Sequence, residues 1–150
     1  MNYGFIDDET IVKQAKKICD CIGHGMHGTA MHMIIETAVT ETGLGRIEDK
    51  TDGAGIGITQ FDKIPFADVR DRCIKLKPQI EKDLGVDITL VEWEHLRYNS
   101  FLSLLFCRLL YKPFSEEIPK DKISRASYWK RYYNTIAGKG TIEHYLKMNE

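Results

Sequence analysis

Glu41 is the residue in this sequence best suited by position to acid–base chemistry: it closes a mostly apolar run and stands directly before Thr42-Gly43-Leu44-Gly45. A carboxyl group that is partly desolvated keeps its proton to higher pH, because the charged form loses hydration. Such a group can protonate a leaving oxygen as a general acid. Taken alone, the position is better explained as a solvated glutamate at a helix end, since most glutamates are exposed.

Two other segments carry polar groups suited to ligands. In Gly53-Ala54-Gly55-Ile56-Gly57-Ile58-Thr59-Gln60-Phe61 the close-set glycines let a backbone approach a ligand or another strand unobstructed. Gln60 there offers both a donor and an acceptor to a sugar hydroxyl or N-acetyl group. A phosphate loop is excluded, because no Lys-Ser or Lys-Thr follows and the glycine offsets miss the dinucleotide fingerprint. The plain alternative is a glycine-rich hairpin. Further on, Tyr128-Trp129-Lys130-Arg131-Tyr132-Tyr133-Asn134-Thr135 precedes Ala137-Gly138-Lys139-Gly140-Thr141. Aromatic rings beside amides suit a sugar, and also make an ordinary core-plus-surface helix. Between Lys120 and Lys139 the bases far outnumber the single acid, Asp121, which by itself reads as a solvated basic face.

The elements that must position these groups are mainly helical. Asp8-Glu9-Thr10 starts a helix on which Ile11, Val12, Ala15 and Ile18 recur at helical spacing, ended by Gly23-His24-Gly25. A second helix over 29–42 buries Ala30, Met33, Ile34, Ala38 and Val39, with Gly43 as its C-terminal cap. Residues 43–60 are too rich in glycine for a helix, and a small β-hairpin is expected near residues 53–61. Helices resume over 66–75 and 78–84. The apolar stretch 91–111 reads as a long central helix or two in series, stopped by Pro113. Helices over 124–135 and 141–148 follow, the last capped by Thr141. The expected fold is mostly α, with this small β element, in one domain spanning residues 1–150.

Composition narrows the function. A chain of 150 residues buries a real core without disulfides, and its net charge of −1 argues against nucleic acid as partner. The N-terminus lacks the basic head and apolar stretch of a secretory signal, and the apolar run 101–111 is too short to span a bilayer. Synthesis in a cytoplasm, without membrane association, is therefore expected. Cys19-x-Cys21, followed by His24, His27 and His32, has the look of a metal tract. Zinc sites, however, place two to four residues between paired cysteines, so Cys19, Cys21, Cys73 and Cys107 read as reduced, buried thiols. No metal or other cofactor is expected.

In their order and spacing, Glu41-Thr42-Gly43-Leu44-Gly45, the stretch from Gly53 to Gln60, and Trp129 to Thr141 together resemble the soluble lytic transglycosylase and lysozyme superfamily. The small phage lysins within it, endolysins or virion-associated muramidases, are the most similar group. The resemblance runs from about Met31 to the C-terminus. It implies an α+β lysozyme-like fold and cleavage of the β-1,4 bond between N-acetylmuramic acid and N-acetylglucosamine in peptidoglycan. It further implies that Glu41 is the catalytic acid, that Gln60 lies near the substrate, and that Tyr133 and Asn134 flank Glu41. Thr42 stands where the superfamily usually has serine, and Thr59, another candidate substrate contact, where it commonly has methionine or phenylalanine. Thr135 and Ile136 add two residues between Tyr133-Asn134 and Ala137-Gly138.

The chemistry after protonation turns on a second carboxylate, which a hydrolase needs either to attack or to activate water. Glu48, Asp49, Asp52 and Asp62 are candidates, with Asp49 and Asp52 the best placed in the sequence. Without one, the sugar's own 6-hydroxyl closes a 1,6-anhydro ring, the transglycosylase outcome. Action at the bacterial cell wall would then follow release through a holin lesion or carriage in a virion, with other virion proteins as further partners. The competing readings are a catalytically inactive lysozyme-like module, structural or peptidoglycan-binding, and a small nucleic-acid protein using the basic segment.

Overall fold

The structure is a computed structural model describing residues 7–45, 55–112, 114–135 and 138–150. Among these residues it is a mostly helical domain of seven α-helices with one two-stranded antiparallel hairpin. Helix α1 (Asp8–Ile22) opens where Asp7 accepts from the Thr10 amide, and it closes at Gly23. Its buried stripe is Ile11, Ala15, Ile18, Cys19 and Ile22; Val12, expected with them, is 42% exposed because it falls one position off that stripe.

Helix α2 (Ala30–Thr42) ends at Gly43, whose left-handed backbone (φ 56°) returns its amide to the Val39 carbonyl. Strands β1 (Gly55–Ile56) and β2 (Phe61–Asp62) pair Gly55 with Asp62 and Ile56 with Phe61. Residues 57–60 are thus the turn of the hairpin rather than its strand.

Helix α3 (Lys63–Arg72) starts earlier than its apolar pattern predicted. Pro65 falls in the first turn, where an amide has no helical partner to lose. A 3₁₀ turn over Ile74–Leu76 leads into α4 (Lys77–Leu84), which Gly85 caps. The long apolar stretch divides into a 3₁₀ turn at Trp93–Arg97 and helix α5 (Ser100–Tyr111), separated by Asn99, which caps α5 by accepting from the Leu102 amide. Ser, Thr, Asn and Asp at such points compete with the helix for backbone groups, so they start helices rather than continue them.

Helix α5 is apolar around nearly its whole circumference, as a central helix must be, and it packs against α1, α2 and α3. Phe106 stacks on Phe66 at 4.6 Å between centroids, and Phe61 of the hairpin meets both rings edge-on. Helix α6 (Lys122–Trp129) runs into a π-helical turn, Lys130–Asn134, so the element predicted over 124–135 is α for only its first part. Helix α7 (Ile142–Met148) is capped by the Thr141 hydroxyl and packs on α2 and α6. All four cysteines are buried free thiols. Among the described residues no group of three or more His, Cys, Asp or Glu side chains is arranged to hold a metal, and no helix is long and apolar enough to cross a membrane.

Candidate active site

An open cavity of about 470 Å³ is lined from three directions: by Thr40 and Glu41 of α2, by Gly55, Gln60, Phe61 and Asp62 of the hairpin, and by Trp129, Tyr133, Asn134, Gly138, Lys139, Gly140 and His144. The sequence segments singled out for their chemistry therefore converge on one cleft. Glu41 is partly buried at the last turn of α2.

The next residue joins that helix to the hairpin. The Thr42 hydroxyl donates to the Ile58 carbonyl oxygen at 2.6 Å and accepts from the Gly45 amide at 2.8 Å. A serine would carry the same hydroxyl. Because Thr42 is fully enclosed, these bonds form away from water and fix where the helix end sits against the turn.

The hairpin is held close by its glycines. At Gly57 (φ +75°) a Cβ would collide with the Leu96 carbonyl and the Ser103 hydroxyl, and at Gly55 with the Gln60 carbonyl. Gln60 itself has a left-handed backbone (φ 49°), and its side-chain Nε2 donates to the Gly57 carbonyl at 2.9 Å. That amide group braces the turn while the residue faces the cleft. Thr59 does not line the cavity. It is fully buried behind the turn, where its carbonyl oxygen accepts from the Tyr133 hydroxyl at 2.6 Å.

Tyr133 lies on the π-turn and packs on Tyr111 and edge-on to Phe61. Burial pushes its phenol well above the ordinary value, with neighbouring Cys107 and Glu41 adding to the shift. It therefore acts as a neutral hydrogen-bond donor and wall rather than a proton carrier. Asn134 accepts from the Lys130 ammonium at 2.7 Å, and the same ammonium donates to the Gly138 carbonyl at 2.9 Å. A Cβ at Gly138 would strike Asn134, and one at Gly140 would strike Trp129 and Asn134. The Gly138-Lys139-Gly140 loop is thus folded tightly over Asn134, whatever residues intervene in sequence.

Of the carboxylates proposed to assist Glu41, Glu48, Asp49 and Asp52 lie outside the described residues, whereas Asp62 lines the cleft from the end of β2. Lys139 and His144 also line it, the latter with Nε2 donating to the Thr40 carbonyl at 3.1 Å, next to Glu41. His144 was not legible as a site residue, because nothing in its local sequence ties it to a residue 104 positions earlier.

Beneath this wall lies a group of residues that the sequence reading missed. Glu36, one turn and a half before Glu41 on α2, is buried and receives Arg125 Nε and Nη2 at 2.7 and 2.8 Å and the Tyr145 hydroxyl at 2.6 Å. Arg125 is accordingly no part of a solvated basic face. No protein-family model, curated protein or solved structure matches this chain.

Proposed function

We propose that this chain is a peptidoglycan-cleaving glycosidase of lysozyme-like fold, acting on the β-1,4 bond between N-acetylmuramic acid and N-acetylglucosamine, with Glu41 as general acid. The observation that carries the reading is the convergence of Glu41, Gln60, Tyr133 and Asn134, from three separate stretches of sequence, on one open cleft. A partly buried carboxyl at a helix end, beside an apolar wall and amide groups, is the kind of site that protonates a glycosidic oxygen and holds a sugar.

In this mechanism the protonated Glu41 carboxyl gives its proton to the leaving 4-oxygen as the C1–O bond breaks and positive charge develops at C1. In the hydrolytic branch Asp62, the other carboxylate on the described part of the cleft, takes a proton from water as its oxygen bonds to C1. In the anhydro branch the sugar's 6-hydroxyl bonds to C1 and its proton returns to the Glu41 carboxylate. Both branches balance without any cofactor.

Mass spectrometry of the soluble products from purified peptidoglycan tests the reading, with wild type beside Glu41→Gln and Asp62→Asn. Glu41→Gln is expected to lose roughly 10²–10⁴-fold in rate, the usual worth of a positioned proton donor. Reducing N-acetylmuramic ends that vanish in Asp62→Asn establish the hydrolytic branch. Anhydro-muropeptides that persist in Asp62→Asn establish the other. A Glu41→Gln protein that digests the wall as fast as wild type overturns the assignment of Glu41. If wild type releases nothing, the glycosidase reading fails in favour of an inactive module.

A further inference from the structure

A second cavity, of about 300 Å³, lies among the C-terminal end of α1, the end of α5 and the segment 114–118, and it shares no lining residue with the cleft. Arg108 lines it and is only 4% exposed. Its Nε donates to the Gly23 carbonyl at 3.0 Å, but its Nη1 is buried with no hydrogen-bond partner among the described residues. Among the described residues no carboxylate pairs with this guanidinium, in contrast to Arg125, also buried, which holds Glu36 with two hydrogen bonds. A buried cation is ordinarily paired, because the interior replaces little of the hydration it gives up.

A second cation, Lys112, lines the same cavity, its ammonium 3.4 Å from the Ile22 carbonyl. Neither acid on the lining is hydrogen-bonded to Arg108 or Lys112 among the described residues. The Glu116 carboxylate is held by Arg131 at 2.8 Å and Tyr132 at 2.7 Å, and the Glu117 carboxylate accepts from the Met26 amide at 3.3 Å. The lining also carries the side chains of Phe114, Ile118 and Tyr128.

We infer that this cavity is a binding site for a small carboxylate with an apolar body, the carboxylate meeting Arg108 and Lys112 and the body packing on Phe114, Ile118 and Tyr128. A planar guanidinium fork matches a carboxylate edge. The volume is at the small end of ordinary ligand pockets, roughly 300–1,000 Å³. Glu116 and Glu117 near the rim favour a monoanion over a phosphate dianion, because like charges in partial burial repel. The site stands independently of the glycosidase reading.

Benzoate is the probe, titrated at fixed ionic strength and followed by amide chemical shifts, with benzyl alcohol as its neutral analogue and inorganic phosphate as competitor. Saturable shifts at Gly23, Gly25 and Met26 are expected, with benzyl alcohol at least about tenfold weaker, as loss of a charge-assisted pair implies. Arg108→Met should abolish the shifts. Since that buried variant can fail to fold, the exposed Lys112→Met serves beside it and should weaken benzoate about threefold. Glu41→Gln should bind benzoate as wild type does. Equal binding of benzoate and benzyl alcohol, displacement of benzoate by phosphate at lower concentration, or no saturation by benzoate would each overturn the proposal.

Discussion

At the scale of single residues, the Glu36 carboxylate does the most to set the geometry of the site without belonging to its surface. Its three short hydrogen bonds from Arg125 and Tyr145 join α2, α6 and α7, the helices that carry Glu41, Trp129 and His144 into the cleft. Removing one partner of such a pair leaves an uncompensated charge in the interior, which typically costs about 3–5 kcal/mol. Arg125→Met should therefore lower the free energy of urea unfolding by about that amount. Glu36→Gln/Arg125→Met should recover part of the loss, because it leaves no buried charge. A single Arg125→Met variant as stable as wild type would show that the pair is not buried in solution.

At the scale of elements, the hairpin and the Gly138-Lys139-Gly140 loop are built on backbone approaches that only glycine allows. Gly57 combines a left-handed backbone with contact to the Leu96 carbonyl, so Gly57→Ala must shift the turn away from the 3₁₀ turn at Trp93–Arg97. The expected cost is about 1–3 kcal/mol, from strain at φ > 0. The melting temperature should fall, and, on the proposed function, wall digestion should fall more than the stability loss explains, since Gln60 and Asp62 move with the turn.

Much at this scale was legible in the sequence, because it is local. Thr141 caps its helix within three residues, and Gly43 and Gly85 end theirs by adopting φ that other residues resist, whereas the equally local caps at Asp7 and Asn99 were not read from the sequence. Glu41 and Gln60 could be singled out because each stands at the edge of such a signal. What was not legible is pairing across the chain. Arg125 reads as one base in a basic stretch until its partner, 89 residues away, is placed beside it. The places of Asp62 and His144 on the cleft depend in the same way on which elements meet.

At the scale of the whole molecule, several groups that ionise at high pH are held neutral by the core. Burial raises the Cys19 thiol from its ordinary 9.0 to about 11 and drives the Cys107 thiol and the Tyr111, Tyr133 and Tyr145 phenols upward as well. An unfolded chain releases these protons at lower pH than the folded one, so it binds fewer protons in that window and stability falls as pH rises. The contribution is complete below the ordinary value of 9.0 and, for Cys19, is lost as pH rises through about 11. Urea midpoints should thus decline steadily from about pH 9 to 11. A midpoint unchanged over that range would mean these groups are not desolvated. Iodoacetamide should leave all four thiols unmodified under native conditions at neutral pH, since the thiolate is the reactive form.

The π-turn at Lys130–Asn134 has a consequence for register. A π-turn is an α-helical segment carrying one extra residue, and each residue turns a helix by about 100°. Deleting one residue there would restore an α-helical ladder but swing Tyr133 and Asn134 around the axis, away from Thr59 and the cleft. On the proposed function, cleft geometry and helical regularity thus oppose each other over these five positions, and a variant that regains the regular helix should be the more stable and the less active.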